Sequence, residues 1–238
     1  MLSLLLLGAG CKKDEVTLSD IFRSLELSKT TASGDGAETV GIVCEINPDV
    51  SPDKQEFVLK TSMGSFVEGG EARLVKKPEF VEGRLVIITT AKVPLGAGNM
   101  VISVEPNQPL EKTDYIIKDS LTVVKSIAAA LKLETSVLGI GSNYLTEAVL
   151  TGTLTNDKGG KVATGYKVIF EDYLPGGTPA NGRFRDMKAS SGADSKVSAV
   201  YGAGSFPVGT DIYLKATLLD ENGLPGTIKD SLLVRINL

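Results

Sequence analysis

Few residues in this chain are placed to do chemistry, and Cys11 comes first among them. It follows the apolar run Leu2, Leu4, Leu5, Leu6 and Leu7 and the small residues Gly8-Ala9-Gly10, and it precedes Lys12-Lys13-Asp14-Glu15. Small residues before a lone cysteine give a peptidase a place to cut and leave the thiol open to a lipid. The chemistry expected at Cys11 is therefore acylation. The apolar run is too short to span a bilayer, which takes about 20 residues. A second candidate lies at residues 171–186, where Tyr173, Arg183 and Arg185 stand among glycines and prolines. The segment reads as a long connection, and binding residues gather on such loops. Tyr and Arg are also enriched at binding hot spots. Tyr173, Arg183 and Arg185 are the expected ligand contacts, although the stretch reads equally well as a solvated insertion.

The remaining constellations point away from catalysis. With 0 His and 0 Trp, the chain has no Ser-His-Asp or Cys-His arrangement, lacks the commonest metal ligand, and lacks the strongest sugar-stacking ring. The acidic pairs Glu171-Asp172 and Asp220-Glu221 are adjacent in sequence. Neighbours on a strand point to opposite faces, so neither pair meets the fixed separation that glycosidase carboxylates need. Gly139-Ile140-Gly141 and Gly202-Ala203-Gly204 each lack the third glycine of a dinucleotide loop and read as turns. Asp35 or Asp157 could offer oxygen to calcium, but no stretch carries a full ligand set. No metal, no cofactor and no enzymatic activity are expected. A net charge of −4 argues against a nucleic-acid surface, which requires clustered cations. If Cys11 is acylated, Cys44, the second of the 2 cysteines, has no disulfide partner. Alternation places it with Val40, Ile42 and Ile46 on one strand face, as a small buried hydrophobe.

The segment around Cys11 resembles the lipobox of bacterial lipoproteins. That resemblance implies removal of residues 1–10 and a lipid-bearing Cys11 opening a tether over residues 11–22. Gly8 stands where the pattern more often has Leu, and no Lys or Arg precedes the apolar run, which a start upstream of Met1 would explain. Lys12-Lys13-Asp14-Glu15 is similar to the export signal of Bacteroidetes surface lipoproteins. The implied location is the outer membrane, lipid-anchored and facing the exterior.

The elements that would carry these residues are strands. Short β-branched runs alternate with Gly, Pro, Asn and Asp clusters, the pattern of all-β sandwiches. Strands are predicted at 25–28, 39–46, 57–61, 72–75, 84–90, 100–104 and 121–123, and again at 145–154, 166–170, 197–201, 212–218 and 232–236. The run Ile117-Lys118-Asp119-Ser120-Leu121-Thr122-Val123 recurs with one difference as Ile228-Lys229-Asp230-Ser231-Leu232-Leu233-Val234, and Leu25-Glu26-Leu27 is echoed by Leu131-Lys132-Leu133. Two markers at similar offsets indicate tandem copies of one fold. Met63-Gly64-Ser65-Phe66 and Asn181-Gly182-Arg183-Phe184 stand at comparable places in the two units. Residues 126–131 are the one helix-like stretch and read as the connector. This order of strands and turns resembles bacterial immunoglobulin-like domains, implying a first domain at 23–125 and a second at 126–238. The resemblance carries fold and not function. The expected protein is a non-catalytic surface lipoprotein acting in adhesion, assembly or binding, held to the membrane through Cys11 and meeting surface proteins or glycans. The alternative is an accessory glycan-binding lipoprotein of a polysaccharide-uptake system.

Overall fold

The computed structural model describes residues 17–50, 56–108 and 115–237; Cys11, the expected leader at 1–10 and residues 11–16 of the expected tether lie outside them. The described chain forms two β-sandwiches. In the first, one sheet runs β1 (Phe22–Leu27), β3 (Thr39–Ile46), β8 (Arg84–Lys92), β5 (Ser65–Phe66), with β7 (Glu79–Val81) also paired to β8. The facing sheet runs β2 (Thr31–Gly34), β10 (Ile117–Lys125), β9 (Gly98–Pro106), β4 (Phe57–Thr61), β6 (Arg73–Lys76). In the second, β11 (Ala130–Thr135), β13 (Glu147–Thr155), β16 (Lys196–Gly202) and β15 (Arg183–Lys188) face β12 (Gly139–Ile140), β18 (Pro225–Ile236), β17 (Asp211–Leu219) and β14 (Val168–Tyr173).

The two sandwiches share one topology. In each, the final strand pairs antiparallel with its predecessor and parallel with a short second strand: β10 with β9 and β2, β18 with β17 and β12. The seven-residue repeat therefore falls on the same strand of both units, and Leu25-Glu26-Leu27 and Leu131-Lys132-Leu133 fall on their opening strands. The layout is the two-sheet immunoglobulin arrangement. The first unit adds β6 and β7, which carry the chain from one sheet to the other.

Each core follows from strict alternation. On β3, Val40, Ile42, Cys44 and Ile46 all point inward and are fully buried; full burial of such an aliphatic side chain contributes roughly 1.5–3 kcal/mol. Met100, Ile102 and Val104 of β9 meet them from the other sheet, so hydrocarbon packing stands where antibody domains have a disulfide. The second cluster, from Ala128 to Ile236, shares no residue with the first.

Three expectations need correction. Residues 126–131 are not helical: Ser126 to Ala129 have no regular structure and Ala130 begins β11. The reason is tertiary. Ser126 is buried, its hydroxyl donates to the Lys161 carbonyl at 2.7 Å and accepts from Asn156 Nδ2 at 3.1 Å, and its carbonyl accepts from Ala163 N at 3.0 Å. Residues 139–141 are not simply a turn, because Gly139 and Ile140 form β12. Residues 171–186 are not one long loop, since β14 runs to Tyr173 and β15 starts at Arg183.

Candidate functional site

Arg183 and Arg185 lie two residues apart on β15, so both project from the outer face of their sheet. Across that sheet, Arg183 is level with Gly202 of β16, and Gly202 is level with Glu147 of β13. Gly202 leaves the middle of the row bare. The arginines reach over it to Glu147, and the Tyr144 ring settles on it: a Cβ at Gly202 would stand 3.1 Å from Tyr144 Cδ1. The Arg183 guanidinium then lies over that ring, its carbon 4.8 Å from the centroid.

Charges order the cluster. Arg185 grips Glu147 with two donors, Nε to Oε1 at 2.8 Å and Nη2 to Oε2, and its Nη1 donates to Asp186 at 2.5 Å. Arg183 approaches Glu147 only at 3.7 Å. The Arg185 hydrogen bond, reinforced by the charges of both arginines, holds the Glu147 carboxyl below the usual glutamate range, and Arg185 is correspondingly pushed up. Tyr144 is fixed from below. Asn143 and Tyr144 both have positive φ, 54° and 60°, which is uncommon for a bulky side chain. Their backbone N–H groups donate to Gly204 and Ala203 carbonyls at 2.9 Å each. Ser142 Oγ accepts from Phe206 N at 2.9 Å.

A buried carboxylate anchors the start of β15. Asp172 Oδ2 accepts from the Tyr201 hydroxyl at 2.8 Å and from Gly182 N at 2.6 Å. A Cβ at Gly182 would strike the Tyr201 hydroxyl, so the residue before Arg183 must be glycine. Phe184 packs on Tyr201, ring centroids 4.9 Å apart. Burial first, then the Asp172 bond, drives the Tyr201 phenol well above its ordinary pKa.

The structure thus joins Arg183 to Arg185 but not to Tyr173. Tyr173 lies on the outer face of the other sheet, opposite Tyr213, with Lys215 Nζ 5.5 Å from its ring centre. Sequence reasoning missed Tyr144, Glu147 and Gly202. Their signal was weak: an aromatic inside a Gly-Ser-Asn turn, and a glycine ending a strand. Beside the cluster, Leu145 and Val149 are exposed.

The acidic pairs are disposed as alternation requires. Glu171 faces outward to Lys215 at 3.3 Å, while Asp172 points into the core. Asp220 Oδ1 accepts from Asn222 and Leu224 N–H within its own turn. Among the described residues no group of three or more Cys, Asp or Glu is placed to hold a metal ion. Cys44 is a free, buried thiol pushed up to about 12 by desolvation. A groove of about 560 Å³ opens at the opposite end of the second sandwich, beside the connector, between Ile127, Tyr166 and Glu221.

No protein-family profile matches the chain, and no curated protein matches its sequence. Similarity appears among solved structures. Invasin, described as a bacterial integrin-binding protein, superposes with a TM-score of 0.61 over 90% of this chain at 16% identity. This chain spans 38% of the invasin chain. The Yersinia pseudotuberculosis adhesin InvE gives 0.43 at 14% identity, over 92% of this chain and 61% of that one. A β-glycosidase from Bacteroides vulgatus gives 0.35 at 12%, over 89% and 24%. At these identities the invasin likeness speaks to the fold, tandem immunoglobulin-like sandwiches, and to nothing finer.

Proposed function

We propose that this chain is a non-catalytic binding protein of the bacterial cell surface, acting in adhesion or assembly. It would be held by a lipid on Cys11 at the outer face of an outer membrane, with the first sandwich as spacer and the second as binding unit. The observation that carries the reading is the Tyr144–Arg183–Glu147–Arg185 cluster with its exposed aliphatic neighbours. Tyr and Arg are residues that protein interfaces favour over ordinary surface. The likeness to invasin, an integrin-binding protein by its description, supports the same direction, as does the sequence around Cys11.

The test is expression of the full chain in a lipoprotein-exporting host. Intact mass should show removal of residues 1–10 and a lipid on Cys11, surface protease should reach the chain, and expressing cells should attach to protein-coated surfaces better than cells without it. An unmodified cytosolic chain, or surface chain with no attachment to any protein, would sink the proposal.

A second reading has one observation in its favour. Tyr173 and Tyr213 are cross-strand partners on the outer face of β14 and β17, and paired tyrosines can stack on sugar rings. Binding to a glycan array that is lost in Tyr213→Ala, with attachment to proteins absent, would favour a glycan-binding lipoprotein of an uptake system.

A further inference from the structure

We propose that Arg183 is the recognition residue of this surface, and that its ligand is a carboxylate side chain, aspartate or glutamate, on a protein partner with an aliphatic residue beside it. The inference rests on the binding-protein reading and names the chemistry of the partner.

Two arginines share one glutamate here, and they share it unequally. Arg185 spends its donors on Glu147 and Asp186. Arg183, beyond its 3.7 Å approach to Glu147, has no polar partner among the described residues, and its side chain is 57% exposed. Its guanidinium is nevertheless not loose. The Tyr144 ring backs one face, and Glu147 keeps the charge on station. A guanidinium backed by a ring and more than half exposed can offer a carboxylate two parallel hydrogen bonds. Little ordering entropy is left to lose on binding.

The neighbouring positions select a protein over other anions. Leu145 is 71% exposed and Val149 48%. Aliphatic side chains around a charged centre suit a partner that brings its own aliphatic groups, whereas a sulfated or uronic glycan would face them with hydroxyls. The first sandwich shows that the fold does not demand this arrangement. Its equivalent row reads Ser65, Lys92, Thr39, where the second reads Arg183, Gly202, Glu147. Both rows hold the same backbone pairing, and only one carries the cluster.

The experiment is a titration of the ¹⁵N-labelled full chain carrying Cys11→Ser, with acetyl-Leu-Glu-Leu-amide, its Gln counterpart and a heparin hexasaccharide as probes. The Glu peptide should move the Arg183 Nε–H signal and the amides of Tyr144 and Leu145, saturating in the millimolar range. The Gln peptide should bind about tenfold more weakly, as loss of a charge-assisted pair implies. Arg183→Lys should lose most of that preference while keeping the fold, and Tyr144→Ala should weaken binding without abolishing it. Equal response to the Glu and Gln peptides would overturn the proposal, as would shifts confined to another face or tighter binding of the hexasaccharide at Arg183. Cell attachment separates the two levels. Attachment that persists unchanged in Arg183→Ala removes the role of Arg183 and leaves the binding reading standing; wild-type cells that attach to nothing remove the broader reading, and the peptide titration still decides for Arg183.

Discussion

The Tyr201 hydroxyl and the Asp172 carboxylate meet inside the second core, and the start of β15 hangs on them. Tyr201→Phe leaves Asp172 Oδ2 with Gly182 N alone, so a half-satisfied buried carboxylate should cost about 1–3 kcal/mol, read as a fall in the urea midpoint at constant slope. Cys44 gives a second residue-scale test. Its thiol rises from 9.0 to about 12 on burial. A raised pKa means the folded state holds its proton longer, so no stability is lost below about pH 9, and stability falls as pH climbs from there toward 12. At 1.36 kcal/mol per unit the loss reaches roughly 3 kcal/mol by pH 11. Cys44→Ala should remove that part of the alkaline loss in paired urea curves at pH 8 and pH 11. Glu147 carries the opposite sign. Its carboxyl is depressed by Arg185, so the cluster holds at neutral pH and loosens as pH falls below the ordinary glutamate range; the Arg185 Nε–H signal should shift through that acid window, and stay fixed in Glu147→Gln. Arg183 and Arg185 were legible in sequence because Arg among glycines is conspicuous. Their partner was not. Glu147 stands 38 residues from Arg185, and only the register of β13, β16 and β15 brings them together. Tyr173 shows the same limit: near Arg183 in sequence, it belongs to the other sheet.

At the scale of strands, equivalence between the two units extends to single hydrogen bonds. Ser28 follows β1, its Oγ accepts from Gly41 N at 2.8 Å, and its N–H donates to the Gly41 carbonyl at 2.9 Å. Ser136 follows β11 and does the same with Val149, at 3.0 and 2.9 Å. Ser28→Ala and Ser136→Ala should therefore each lose a similar amount, about 1 kcal/mol for one net hydrogen bond, with the loss appearing in the sandwich that carries the change. The glycines before β5 and β15 form another matched pair. A Cβ at Gly64 would strike the Lys92 carbonyl, as one at Gly182 would strike Tyr201, which explains why both Gly-x-Phe markers begin with glycine. Long strands were readable because alternation over eight or nine residues leaves little choice of face: β3 falls at 39–46, where the pattern put it, and β17 covers 211–219 against the expected 212–218. The short parallel strands β2 and β12 were not readable. They hold four and two residues, too few for a period, and exist because the final strand offers them an edge. The alanine run at the connector misled through its helix propensity, which is a weak local preference, overruled by the bonds that bury Ser126.

For the whole molecule, the placement of the cluster along the chain matters as much as its chemistry. The connector enters the second sandwich beside Thr155 and Lys161, while Glu147, Gly202 and Arg183 lie at the far ends of their strands. The eight steps from Thr155 to Glu147 span about 27 Å at the usual strand rise. The Tyr144–Arg183–Glu147–Arg185 cluster thus sits at the end of the second sandwich remote from the first, as the proposed spacer-and-tip arrangement requires. That arrangement needs two units that keep their own folds, and the separate cores predict it. The bonds of Ser126 to Lys161, Asn156 and Ala163 seat the connector on the second unit without tying the two cores together. Native probes exist for each half. Of the 6 tyrosines only Tyr115 belongs to the first sandwich, so tyrosine fluorescence reports the second, and alkylation of buried Cys44 reports the first. Ile42→Ala opens a cavity in the first core and should cost about 2–5 kcal/mol there. Thiol exposure should then move to lower urea while the tyrosine transition stays in place. If both probes move together, the sandwiches unfold as one cooperative body, and the first cannot act as an independent spacer beneath a self-sufficient tip.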